Sequence, residues 1–411
     1  MNFIYYLRNL GFFCWIIITY FGIINPLLKY IIPDFIGMYV IPVVMFVFGL
    51  TAFLGRKKHL ETFDYAILLV VSEFFLQAIA SYFSYGQPIV RGLLASRIFL
   101  VLLFGYYLAS KQTSMVYLFK LNISLSRYVM PLSLFALLVL NIDNGTIANF
   151  FHVSSDSIVD SSEVKGSILS YAASGVPVFF VYYLIEYVQR RNKIGLYMIL
   201  LVLIYALFCA KGRLQLVGYV GVLVICCLQN KKPHSRILLL YTLVGFFAIT
   251  LYDPHQLDSL SALGDFFGLS GNVEDQSVLI RVTNREIMMP VILTHPIFGV
   301  GNLSNQFHPN FFDIFHEKFY ISDMGYMGII LTGGIVKSII YIFFFVSALR
   351  KCNQIGRQVD IIKYLIIFHL YITIAGGDTF MYHYDIPLLI APLLNIKCLE
   401  DKKISFIWRI I

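Results

Sequence analysis

Apolar stretches long enough to cross a hydrocarbon core of about 30 Å recur along the chain at roughly 10–32, 36–54, 64–83, 92–109, 128–142, 168–188, 194–210, 214–229, 236–252, 324–348, 361–376 and 380–397. No soluble core can absorb so many. The 411 residues are 59% hydrophobic and 13% charged, where a soluble domain is about 45–50% apolar and about 25% charged. Too little polar surface remains to cover a water-soluble particle, so lipid must face much of the chain. The expected architecture is an all-α polytopic membrane protein of about twelve transmembrane helices, one integral domain over 1–411. The first run follows MNFIYYLRNL with no small-residue cleavage site, so it is expected to be a retained helix.

Charge sets the expected orientation. Arg56-Lys57-Lys58, Lys111 with Lys120 and Arg127, Arg190-Arg191 with Lys193, Lys231-Lys232 with Arg236, Arg350-Lys351 with Arg357, and Lys402-Lys403 fall in every second connection. Cytoplasmic loops carry the excess of Lys and Arg, so these connections and both termini are expected inside. By this assignment 21 of the 31 basic residues lie inside, 8 outside, and 2, Arg97 and Lys337, within spans. The net charge of +8 therefore needs no nucleic-acid partner. The outer face receives an acidic loop at 143–167 and the longest polar stretch of the chain at 253–323. The six cysteines show no metal-type spacing, and neither a metal site nor a cofactor motif is expected.

Candidate chemistry comes from cations on the face that should be depleted of them: Lys211 and Arg213 in a short outer turn, then Arg281 and Arg285 in the long loop. Guanidinium forks match phosphate oxygens and can neutralise a diphosphate without a metal ion. Snorkelling to lipid headgroups is the plainer account of Lys211-Gly212-Arg213. A solvated helix face is the plainer account of Arg281 and Arg285, four residues apart with Glu286 beside the second. The segment from Thr294 through His295-Pro296 to Gly299-Val300-Gly301 reads as a helix stop followed by a tight glycine turn. Asp323 is a candidate general base, or a helix N-cap for the apolar run that follows it. His295, His308 and His316 share the long loop, with no spacing that demands a metal. Glu73, Arg97 and Lys337 fall inside apolar runs, where pairing or cavity lining is expected. Asp378, His383 and Asp385 lie in the last outer turn.

A basic residue ahead of a membrane helix is followed by a long outer loop in which Arg281 opens an amphipathic segment. Next come His295-Pro296 and Gly299-Val300-Gly301, and then Gly333-Gly334-Ile335 where the chain re-enters the membrane. This arrangement resembles the superfamily of bacterial O-antigen polymerases and ligases over roughly 200–348; the remaining spans match only in number and hydrophobicity. The resemblance implies a GT-C-type glycosyltransferase bundle in the bacterial inner membrane, acting on undecaprenyl-diphosphate-linked oligosaccharides. Arg213 and Arg281 are the positions that match its diphosphate arginines, and His295 matches its His-Pro. The ligase branch carries a His-Asn pair where this chain has Ser322-Asp323, a departure that favours the polymerase. The implied function is repeat-unit polymerisation on the outer face with release of the diphosphate lipid, beside a chain-length regulator. The alternatives are the related ligase, or a transporter of lipid-linked sugars with Glu73, Arg97 and Lys337 along its path. The expected site is Asp323, His295 and Arg281 for catalysis, and Lys211, Arg213, Arg281 and Arg285 for the diphosphate.

Overall fold

The computed structural model describes residues 39–56, 59–113, 115–138, 175–208, 213–230, 232–252, 276–304, 306–315, 319, 321, 324–376, 380 and 385–399. Among them the regular structure is entirely helical: α1 Ile41–Leu54, α2 Thr62–Tyr85, α3 Ile89–Ser110, α4 Met115–Leu138, α5 Gly175–Arg190, α6 Lys193–Phe208, α7 Arg213–Gln229, α8 Pro233–Tyr252, α9 Gln276–Thr294, α10 Phe311–Ile314, α11 Gly325–Ile355, α12 Asp360–Gly376 and α13 Ile386–Leu394. Three of them, α2, α3 and α11, are long and apolar enough to cross a membrane, with shorter apolar helices beside them. The expected span at 10–32 and the acidic loop at 143–167 lie outside the described residues, and the expected span at 128–142 is described only to 138, where α4 ends. One element starts earlier than the apolar pattern indicates. α4 begins at Met115 and not near 128, because Lys120 and Arg127 are good helix formers and Arg127 is held by the Tyr183 hydroxyl at 2.5 Å.

Alternate helix ends gather at one end of the bundle. Arg56 after α1 pairs with Asp64 on α2, and Glu61 ahead of α2 with Lys351 at the end of α11. Gln189 on α5 donates to Asp360 at the start of α12 (3.3 Å), and Lys363 donates to Gln229 at the end of α7 (3.3 Å). Asn395 after α13 donates to Ala109 O at the end of α3 (2.9 Å). An up-and-down arrangement follows, and the polar ties mark one rim of it.

The main core runs through α1–α8 and α11–α13. Small residues allow close approach, as helix pairs in lipid require: Gly49 of α1 lies against the α3 backbone at Leu103 and Phe104, and Gly92 of α3 against Ala78 of α2. Outward, α11 carries an unbroken apolar stripe of Ile335, Ile339, Ile342 and Val346 at helical spacing. Its inner face buries Tyr341, Phe344, Phe345 and Ala348. Such a stripe suits lipid and would be costly in water.

The decisive irregularity lies within α11. Gly334 has φ +63° and ψ −156°, which splits the helix into two halves. That backbone region is essentially closed to residues with a Cβ. A methyl group at Gly334 would also run into the Ile297 carbonyl. Gly334→Ala should therefore cost about 1–3 kcal/mol, read as a Tm lowered by several degrees in detergent, whereas Gly55→Ala, at φ −76°, should leave Tm unchanged.

Candidate functional site

A break inside an apolar helix frees carbonyls on one side and amides on the other, and each costs several kcal/mol if unsatisfied in hydrocarbon. Here the turn after α9 satisfies them. Val300 N donates to Leu331 O and Gly301 N to Thr332 O, both at 2.8 Å; Ile335 N donates to Pro296 O (2.9 Å) and Val336 N to Ile297 O (3.1 Å). Ser338 Oγ takes up Gly334 O at 3.0 Å. The expected helix stop falls at Thr294, and Gly299 and Gly301 both have positive φ. The segment read from sequence as a tight glycine turn thus closes a gap in another helix.

Beyond the turn, the chain passes along the end of α2. Gln87, fully buried, donates from Nε2 to Asn302 O (2.9 Å) and Ser81 Oγ (3.0 Å), while its Oε1 accepts from Ser304 N (2.7 Å). Arg91 donates to Gln306 O at 2.6 Å. A second hydrophobic cluster fills the space between α9, the loop and the first half of α11, built on Met288, Ile292, Val300, Leu303, Phe311, Phe319, Met324 and Leu331. Phe315 and Phe319 stack at 4.2 Å between ring centroids. Most of the loop aromatics are thus packing.

That cluster settles how α9 lies. Asn284, Met288 and Ile292 are buried at i, i+4 and i+8, whereas Glu286, Met289 and Leu293 are exposed. Arg285 flanks the buried row and is half-buried, so it does not stand on an ordinary solvated face. Arg281 sits in the second turn of the same helix, one turn ahead of Arg285. His295, half-buried at the helix end, has Nδ1 2.9 Å from Thr294 Oγ1. α9 thus carries Arg281 and Arg285, His295 follows directly after its last residue, and Arg213 opens α7. Lys211 and Asp323, with Ser322, His316, Asp378 and His383, lie outside the described residues. Asp385 is buried 3.4 Å from His369 of α12 and makes no cap hydrogen bond to α13, so its partner is a histidine rather than a helix end.

Of two further groupings, the first gives partners to charges already expected to pair or line a cavity, and the second was not foreseen from sequence. On α2, Glu73 accepts from Gln77 Nε2 at 2.7 Å, both side chains buried. They lie beside Gly333, where an added methyl would sit 2.8 Å from Gln77 Nε2 and against the Lys337 stem. Lys337 is 1% exposed and donates to Thr332 Oγ1 at 2.9 Å. Arg97 sits over the Tyr39 ring at 4.6 Å. The second grouping is His308 Nδ1 at 2.8 Å from Asp313 Oδ2. Asp313 closes a capping box with Asn310 at the start of α10, accepting from Asn310 N at 2.8 Å. Five-residue spacing across a proline gives no sequence signal for such a pair. Held at Nδ1, the His308 ring leaves Nε2 for another partner.

The Asn310 amide, and then His308, hold the Asp313 carboxyl below its ordinary value of 3.8. Because the folded value is depressed, this contribution is fully present above the ordinary value and is lost as pH falls through the lowered one. Asp313→Asn, a neutral isostere, should speed amide exchange at Asn310 and Asp313 near pH 6, with the difference from wild type vanishing in strong acid. A difference that persisted there would remove the charge from the account.

Comparison with protein-family models and with curated proteins finds no match for this chain.

Proposed function

We propose that the protein is a membrane glycosyltransferase that polymerises oligosaccharide repeat units, joining undecaprenyl-diphosphate-linked glycans on the outer face of the bacterial inner membrane. The observation that carries this reading is the bolting of α9, with Arg281 and Arg285 on it and His295 at its end, to a break in an apolar membrane-length helix. Cations fixed in this way would meet the headgroup of a lipid diphosphate at the membrane boundary. The twelve-span topology with cytoplasmic termini belongs to the same proposal; the gathering of Arg56, Lys351 and Lys363 at one rim supports it.

In the mechanism, a hydroxyl of the incoming unit attacks C1 of the growing chain and its proton passes to a general base. The C1–O bond to the diphosphate breaks, and the lipid diphosphate leaves with the bonding pair. One displacement inverts the anomeric centre. Lys211, Arg213, Arg281 and Arg285 stabilise the charge that builds on the departing diphosphate. Asp323 and His295 are the base candidates from sequence, and His308, oriented by Asp313, joins them on geometry. The partners are the two lipid-linked glycans, surrounding lipid and a chain-length regulator. A strict requirement for added divalent metal would contradict the arginine-based mechanism.

The buried Glu73, Gln77 and Lys337 are what a transporter of lipid-linked sugars would use. The two readings separate on the product. In a strain lacking the protein, surface glycan should collapse from a ladder to single repeat units, which a lost transporter would not deliver. Each of Arg213→Ala, Arg281→Ala, Arg285→Ala and Asp323→Ala, at normal membrane level, should cut polymer at least about tenfold, since hydrogen bonds to charged groups contribute about 1.5–3 kcal/mol. A full ladder in all four variants would reject the site. Transfer of one finished chain to a lipid-core acceptor would identify the ligase.

A further inference from the structure

We infer that Lys337 is a positioning residue: it braces the break in α11 so that the 296–301 turn docks there, and through that turn it fixes His295. The functional half of this inference rests on the glycosyltransferase reading; the docking half does not.

Lys337 follows the break by three residues, and its side chain runs back toward the start of the helix, the direction helical side chains favour. It crosses Gly333, where a methyl group would overlap its Cβ and Cδ. This explains a glycine beside Gly334, whose own conformation alone accounts for the split. The ammonium ends on Thr332 Oγ1 (2.9 Å), and that hydroxyl donates in turn to Gly328 O (2.9 Å) in the preceding turn. It lies 5.4 Å from the Phe99 ring centroid and 5.6 Å from that of Tyr341. Two aromatic faces favour a cation at that place.

The first half of α11 ends at this point, where unpaired carbonyls make a helix end negative. A cation tied to Thr332 from within the bundle answers that end through the side chain. The Leu331 and Thr332 carbonyls remain aimed at Val300 N and Gly301 N. Thr332 therefore belongs to both arrangements, its hydroxyl to Lys337 and its carbonyl to the turn. From Gly301 the chain leads back to His295 through five residues, of which Val300, Ile297 and Pro296 are also bonded at the break. A buried lysine thereby acts on the proposed site without touching substrate.

The test uses full-length protein in detergent or nanodiscs, with Lys337→Met, Thr332→Val and the double variant. Hydrogen exchange at the amides of Val300, Gly301, Ile335 and Val336 should quicken tenfold or more in each single variant. Exchange in α5 and α6 should stay unchanged, and the double variant should be less than additive, because the two single variants share the loss of the Lys337–Thr332 contact. In polymerisation with a lipid-diphosphate-linked repeat unit, kcat should fall while KM holds. Unchanged exchange in Lys337→Met overturns the inference, as do additive effects in the double variant or an equal rise in all helices. Faster local exchange with unchanged kcat keeps the docking role and overturns the functional half, whereas a glycan ladder that survives in a strain lacking the whole protein rejects the glycosyltransferase reading itself.

Discussion

Four backbone hydrogen bonds between residues 296–301 and the two halves of α11 are the interaction on which the rest depends. A membrane-length helix does not give up its internal bonds without replacements, because hydrocarbon offers none. The replacements come from a turn that would itself be unsatisfied in the same surroundings. Each segment therefore requires the other. The exposed Ile297 and Phe298 continue the outward apolar stripe of Ile335 and Ile339, so the turn shares the apolar surroundings of the helix it repairs.

Several features become intelligible from that constraint. The small cluster around Met288, Val300, Phe311 and Leu331 exists because α9 and its loop must pack on the first half of α11 once the turn is docked. Gln87 and Arg91, just after α2, take up the backbone of 302–306 and stop the loop from peeling away. α9 is fixed at its C-terminal end, and Arg285 is brought against packed surface rather than left in solvent. Under the proposed function such rigidity is an advantage, since little reorganisation is left for the moment of reaction.

Much of this was legible in the residues. Long apolar runs gave α2, α3 and α11 their place, and Thr294 through Gly301 read correctly as a helix stop and glycine turn. α4 starts earlier than the apolar pattern indicates because hydropathy undervalues Lys120 and Arg127, which favour helix, and Arg127 finds a partner in Tyr183 of α5. The docking itself left no local trace. Gly333-Gly334 and Gly299-Val300-Gly301 lie some thirty positions apart, and each could serve an ordinary turn; only long-range pairing shows that they answer one another. The same holds for Lys337 with Thr332 and for His308 with Asp313, whose partnerships follow from bends in the chain rather than from helical spacing.

The most direct test of the central claim is oxidative cross-linking of Val300→Cys/Leu331→Cys in native membranes, in a variant whose six natural cysteines are replaced by alanine. Val300 N and Leu331 O are 2.8 Å apart and both side chains belong to one buried cluster, so cysteines at the two positions are neighbours only if the turn occupies the break. The account predicts that both thiols are consumed together within the chain, with no remaining thiol to alkylate after denaturation. Two free thiols under the same oxidant, in protein that is folded and at normal level, would mean that the turn lies elsewhere and that α11 is not held open by it.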